Sequence, residues 1–96
     1  MADAGTLEVR KNEGRSRYEL LDGDEVLAIA DYQVRDDVVV MPHTVVDPGR
    51  RGQGLGEQLV RQALDDVRSS GRKVLPACWF VAEFLELHPE YADLRA

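Results

Sequence analysis

Only one cysteine, Cys78, stands in 96 residues. No disulfide can form within the chain, as expected of a protein kept in a reducing compartment. Two histidines and that cysteine show no ligand spacing, so no metal is expected. Long apolar runs are missing as well: the longest, Val74 to Ala82, is nine residues, too short to span a bilayer. Met1–Gly5 has neither the basic nor the apolar region of a signal peptide. A soluble, cytoplasmic protein without a membrane partner is expected. Aromatic residues make up only 6%, and no broad basic face interleaved with aromatics is visible, so nucleic acid is not expected either. There are no repeats, no low-complexity tracts and no G-x-S-x-G nucleophile elbow.

What is present suits one folded domain. The hydrophobic fraction is 44%, with a full set of branched aliphatics, enough for one core at this length. Residues 1–5 are expected to be a flexible N-terminus and 6–96 a single domain. The charge is lopsided. Residues 1–48 hold five basic and eleven acidic side chains, whereas residues 49–96 hold seven of each. Within 49–73 six basic residues face three acidic ones. A short basic segment on an acidic body fits a small phosphorylated ligand better than a polymer.

The apolar periodicity changes once along the chain. Thr6–Lys11 and Arg17–Leu21 read as strands joined by a turn at Asn12–Ser16. Asp22-Gly23 signals a tight hairpin. Glu25–Arg35 alternates apolar and polar residues, and after Asp36-Asp37 the run Val38–Val46 is the most β-prone in the chain. Pro42 cannot donate to a ladder, so an edge or bulge is expected there. Beyond residue 54, Leu55, Leu59, Val60, Ala63, Leu64 and Val67 share one helical face, and Gly71 is a natural helix stop. Arg72–Ala77 reads as a fifth strand and Trp79–Leu87 as a second helix ending before Pro89. The expected fold class is α+β. An antiparallel four-stranded meander leads through a helix crossover to a parallel fifth strand and a C-terminal helix.

The junction between strand and helix reads PGRRGQGLG, Pro48 to Gly56. Its glycines let backbone N–H groups converge at the start of a helix, where the dipole also favours an anion. Its arginines add donors suited to phosphate. It is not a P-loop, because Leu55 follows Gly54 where lysine is needed. Nor is it a dinucleotide fingerprint, because Glu57 stands where glycine or alanine belongs. A plain glycine-rich turn remains the bland alternative.

Arg51-Gly52-Gln53-Gly54-Leu55-Gly56 resembles the R/Q-x-x-G-x-G/A signature of the GNAT acetyltransferase superfamily. HTVV, GRRGQGLGEQLV, VLPACWFV and HPEYADL, spread from His43 to Leu94, resemble in matching order its minimal stand-alone branch, often labelled YjdJ-like. The resemblance implies a minimal GNAT fold, acetyl-CoA as co-substrate and acetyl transfer to an amine, on a small molecule or a protein. It puts the pyrophosphate on Arg51, Gly52, Gln53, Gly54, Leu55 and Gly56, and pantetheine along Val45 and Val46. Arg50, with Arg72 or Lys73, is expected to meet the remaining phosphate charge. His43 beside the thioester would be the general base. Cys78, at a helix start, would be a thiol activated there and by His43. For both, simple packing is the alternative, and for Tyr91 packing is the preferred reading. Asp65, Asp66, Glu83 and Glu86 read as solvated helix faces. Larger members place two helices between the first two strands, for which Asn12–Ser16 leaves no room, so the acceptor side should be open. Two other functions stay in view: a non-catalytic acyl-CoA-binding module and a slow acyl-CoA thioesterase.

Overall fold

The computed structural model describes residues 7–96. The expected flexible stretch 1–5 and Thr6 lie outside the described residues. The strands are β1 (Leu7–Asn12), β2 (Arg17–Asp22), β3 (Glu25–Arg35), β4 (Val38–Val46) and β5 (Lys73–Leu75). Helix α1 (Leu55–Ser69) joins β4 to β5, and α2 (Trp79–Leu87) follows. Single 3-10 turns cover Pro48–Arg50 and Pro89–Leu94. The five strands lie in sequence order, the first four antiparallel and β5 parallel to β4. The expected α+β architecture is the observed one.

Local chemistry explains the turns. Asp36 takes a φ of 57° in the two-residue connection between Arg35 and Val38, which pair directly, a conformation that aspartate tolerates better than most side chains. The second hairpin turns on Gly23 and Asp24, since Asp22 still pairs with Glu25. β5 is shorter than the expected Arg72–Ala77. Pro76 has no N–H to add to the ladder, and the Ala77 N–H turns back to the Leu75 carbonyl at 3.0 Å.

Both helices pack on the same face of the sheet. The buried side of α1, from Leu55 to Val67, meets Tyr18, Leu20, Ala28, Ala30 and Met41 in one core that also takes in Val81, Phe84 and Leu85 of α2. Tyr18 donates to Asp66 of α1 at 2.7 Å, and Tyr91 donates to Asp65 at 2.7 Å. Asp65 is exposed and Asp66 half-buried, as expected of a solvated helix face, and both also anchor a tyrosine. Burial first, and then the hydrogen bond to Asp66, push the Tyr18 phenol well above its ordinary range. Burial first and the hydrogen bond to Asp65 second also raise the Tyr91 phenol. Among the described residues no helix covers the opposite face of the sheet, and none is long and apolar enough to cross a membrane.

Candidate functional site

β4 changes character half-way along. Val38, Val39 and Val40 are paired on both sides, with β3 and with Lys73, Val74 and Leu75 of β5. From Met41 to Val46 the strand keeps only its β3 neighbour. The break falls at the expected proline. Asp31 pairs with His43 and Gln33 with Val40, so Met41 and Pro42 together oppose Tyr32 alone. That extra residue is a bulge, which bends β4 and raises its twist. β5 then ends at Leu75, and the two parallel strands part.

A cavity of about 670 Å³ fills the gap. One wall is the half-paired edge His43–Val46; the floor is the loop with Arg50, Arg51, Gly52 and Gly54 and the first residues of α1; Trp79 and Phe80 of α2 close the other side. The loop's glycines serve two purposes. Gly52 and Gly54 take φ of 85° and 76°, the left-handed region where a side chain adds strain, and Gly54 is the N-cap of α1. Gly56 is there for contact instead. A Cβ on it would lie 2.8 Å from Phe80 Cζ and 3.3 Å from Val46 Cγ2, so any larger residue would have to push the Phe80 ring off the start of α1. Asp47 shapes the approach by accepting the Gly49 N–H at 3.0 Å.

The charges around the loop suit an anion. Arg51 is exposed, and Arg50 lines the cavity while reaching Glu25 at 3.4 Å. Glu57, the one carboxylate on the cavity wall, is held by Arg61 at 3.7 Å and by His88 Nε2 at 2.9 Å. Gln53 is exposed at the loop tip and does not line the cavity. Arg72 and Lys73 are elsewhere. Lys73 pairs with Val38 at the far end of β4, roughly 25 Å of strand from Val46, and donates to the Asp93 carbonyl at 2.7 Å. Arg72 reaches the Asp36 carbonyl. Neither can meet a phosphate on the loop, because parallel pairing puts the start of β5 at the start of β4.

His43 and Cys78 are separated by the strand's alternation. His43 points to the uncovered face, with Nδ1 at 3.4 Å from Asp31 Oδ2. Thr44 points to the helix side, where it accepts from Cys78 Sγ at 3.8 Å. Cys78 is buried behind Thr44 as the N-cap of α2 and is not part of the cavity wall. The structure thus brings His43 to the cavity and Cys78 next to it, without joining the two. Tyr91 is buried against α1, Phe84 and Arg61, the packing role preferred for it. Thr44, Trp79 and Phe80 were not singled out from the sequence. Phe80 reads there as one more apolar residue of a helix, and only its contact with Gly56 reveals the wall.

Comparison with known proteins agrees with this geometry. Residues 17–94 match the family model described as GCN5-related N-acetyl-transferase. Mouse Protein NATD1 is 26% identical over 91 residues, covering 93% of this chain and 83% of its own. The solution structure of a GCN5-like protein from Staphylococcus aureus superposes with a TM-score of 0.74 at 26% identity, over 95% of this chain and 89% of that one. An N-acetylglutamate synthase from Neisseria gonorrhoeae, solved with coenzyme A and N-acetyl-glutamate, shares the fold with a TM-score of 0.59 at 18% identity, over 80% of this chain and 22% of that one.

Proposed function

Because this chain belongs to the GCN5-related N-acetyltransferase family, we propose that it transfers the acetyl group of acetyl-CoA to an amine. The observation that carries the reading is the cavity running from the half-paired edge of β4 to the glycine loop. Such an edge leaves strand N–H and C=O groups without partners, and pantetheine has amides to fill them. The loop from Arg51 to Gly56 offers converging N–H groups at the start of a 15-residue helix, a natural seat for the pyrophosphate. Arg51 and Arg50 supply the charge, and Val45 and Val46 the pantetheine wall.

In this reading His43 takes a proton from the incoming amine. The freed nitrogen lone pair attacks the thioester carbon. N–H groups along the unpaired edge stabilise the oxyanion that forms. That attack makes the C–N bond; the C–S bond then breaks, and the surplus proton still on the nitrogen passes to the departing CoA thiolate. Transfer is direct, since His43 faces the cavity whereas Cys78 stands behind Thr44. A cytoplasmic location accords with the single free cysteine.

Free thiol released from acetyl-CoA, followed with and without a panel of amines, tests the proposal. Release that requires amine is expected. Amine-independent release would replace the reading with a thioesterase, and binding without release with an acyl-CoA-binding module. Cys78→Ser should keep near-normal turnover and CoA binding. A hydroxylamine-labile acetyl adduct on Cys78, seen by intact mass, together with loss of turnover in Cys78→Ser, would replace direct transfer with a relay.

A further inference from the structure

A row of polar side chains crosses the uncovered face of the sheet and ends at the cavity. Asn12 pairs with Arg17, Arg17 with Asp31, and Asp31 with His43. The charges in that row are not equally committed. Arg17 donates to buried Glu19 at 2.8 Å, and Asn12 donates to the same carboxylate oxygen at 3.3 Å. The Arg17 hydrogen bond holds the Glu19 carboxyl below its usual range, so both charges of that pair are neutralised locally. Asp31 is left over. Its one close side-chain partner among the described residues is the His43 imidazole at 3.4 Å, and its side chain remains 36% exposed. A carboxylate with free lone pairs therefore stands beside the imidazole, on the face where no helix intervenes.

We infer that Asp31 selects the acceptor, holding an aliphatic ammonium group next to His43. The inference rests on the acetyltransferase reading and names its substrate class. An aliphatic amine arrives at neutral pH as a cation, and a charge-assisted hydrogen bond to Asp31 would seat it within reach of the imidazole. A free α-amino acid would fit poorly, since its carboxylate would lie against the Asp31 carboxylate. Arylamines, neutral at that pH, would gain nothing from the carboxylate. The ammonium can come from a free diamine or from a lysine side chain, since both present the same group.

The experiment titrates the CoA-bound protein at pH 7.5 with putrescine, N-α-acetyl-lysine methylamide and p-anisidine, for wild type, Asp31→Asn and Asp31→Glu. Expected is at least a tenfold loss of affinity for the aliphatic probes in Asp31→Asn, the scale of a hydrogen bond to a charged group. Affinity for p-anisidine should not change, and Asp31→Glu should recover much of the loss. Tighter binding of putrescine would point to free amines, and tighter binding of the lysine derivative to polypeptides. In turnover, the aliphatic KM should rise at least tenfold in Asp31→Asn and recover in Asp31→Glu, while the KM for p-anisidine stays unchanged. Equal losses for charged and neutral amines, or no loss for either, would overturn the role of Asp31. Wild-type protein that discriminates as expected but releases no amine-dependent thiol would sink the acetyltransferase reading and leave the binding role standing.

Discussion

The two halves of β4 belong to one strand and have opposite fates. Val38–Val40 is clasped between β3 and β5, with Val39 buried. Met41–Val46 keeps one neighbour and offers its other edge to a cavity. A sheet edge is ordinarily a hazard that folds cover or blunt. Here it is walled by Trp79 and Phe80 on one side and ended by the glycine loop. The contrast teaches that two prolines set the boundary, Pro76 just past the end of β5 and Pro42 in the bulge of β4. Pro42 removes an N–H and hosts the bulge, and one strand becomes a fully paired half and a half-paired one beside the cavity.

The sharpest way to break that comparison lies at the loop. Gly54→Val would put a side chain at a φ of 76° and over the expected pyrophosphate. CoA affinity should fall at least a hundredfold, or about 2.7 kcal/mol. Calorimetry on folded Gly54→Val protein showing normal affinity would remove the cradle. The paired half should respond in the opposite sense. Val39→Ala, at a buried position in the core, should cost about 2–3 kcal/mol of stability while leaving CoA affinity within twofold, below about 0.5 kcal/mol. Denaturant melts alongside calorimetry check both parts, and a large affinity loss there would erase the division.

The smallest effect concerns the clamp between sheet and helix. The folded-state pKa of Tyr18 is raised above the ordinary phenol value of about 10. Its proton is thus held more tightly in the folded chain than in the unfolded one. That stability is fully present below pH 10 and drains away as pH rises beyond it. Tyr18→Phe should cost about 1 kcal/mol at neutral pH and flatten the alkaline decline. Melting curves between pH 8 and about 11.5 measure it, bracketing the free phenol range. An unchanged alkaline slope would move the titrating group elsewhere.

How legible each part was follows from how local its cause is. The bulge was readable because proline's missing N–H is a property of one residue. The meander was readable because two-residue turns and alternation act over a few positions. β5 was overextended because Pro76 and the return of the Ala77 N–H outweigh the apolar character of the run. At Asp65 and Asp66 the exposure was readable but the anchoring was not, because their partners, Tyr91 and Tyr18, are 26 and 48 residues away in the chain. Arg72 and Lys73 were misplaced because proximity to the loop in sequence is undone by a helix that returns the chain to the far end of β4.

By itself the sequence determined the order of strands and helices, the glycine loop at a helix start and the weak point in β4. Each of these depends on backbone freedom, donor count or side-chain period within a few residues. Only the tertiary structure decided which side chains share the site. Whether His43 meets Asp31 and Cys78 meets Thr44 depends on strand register. One residue of slip would exchange the faces, and register is set by the whole sheet, its bulge and the helices packed upon it.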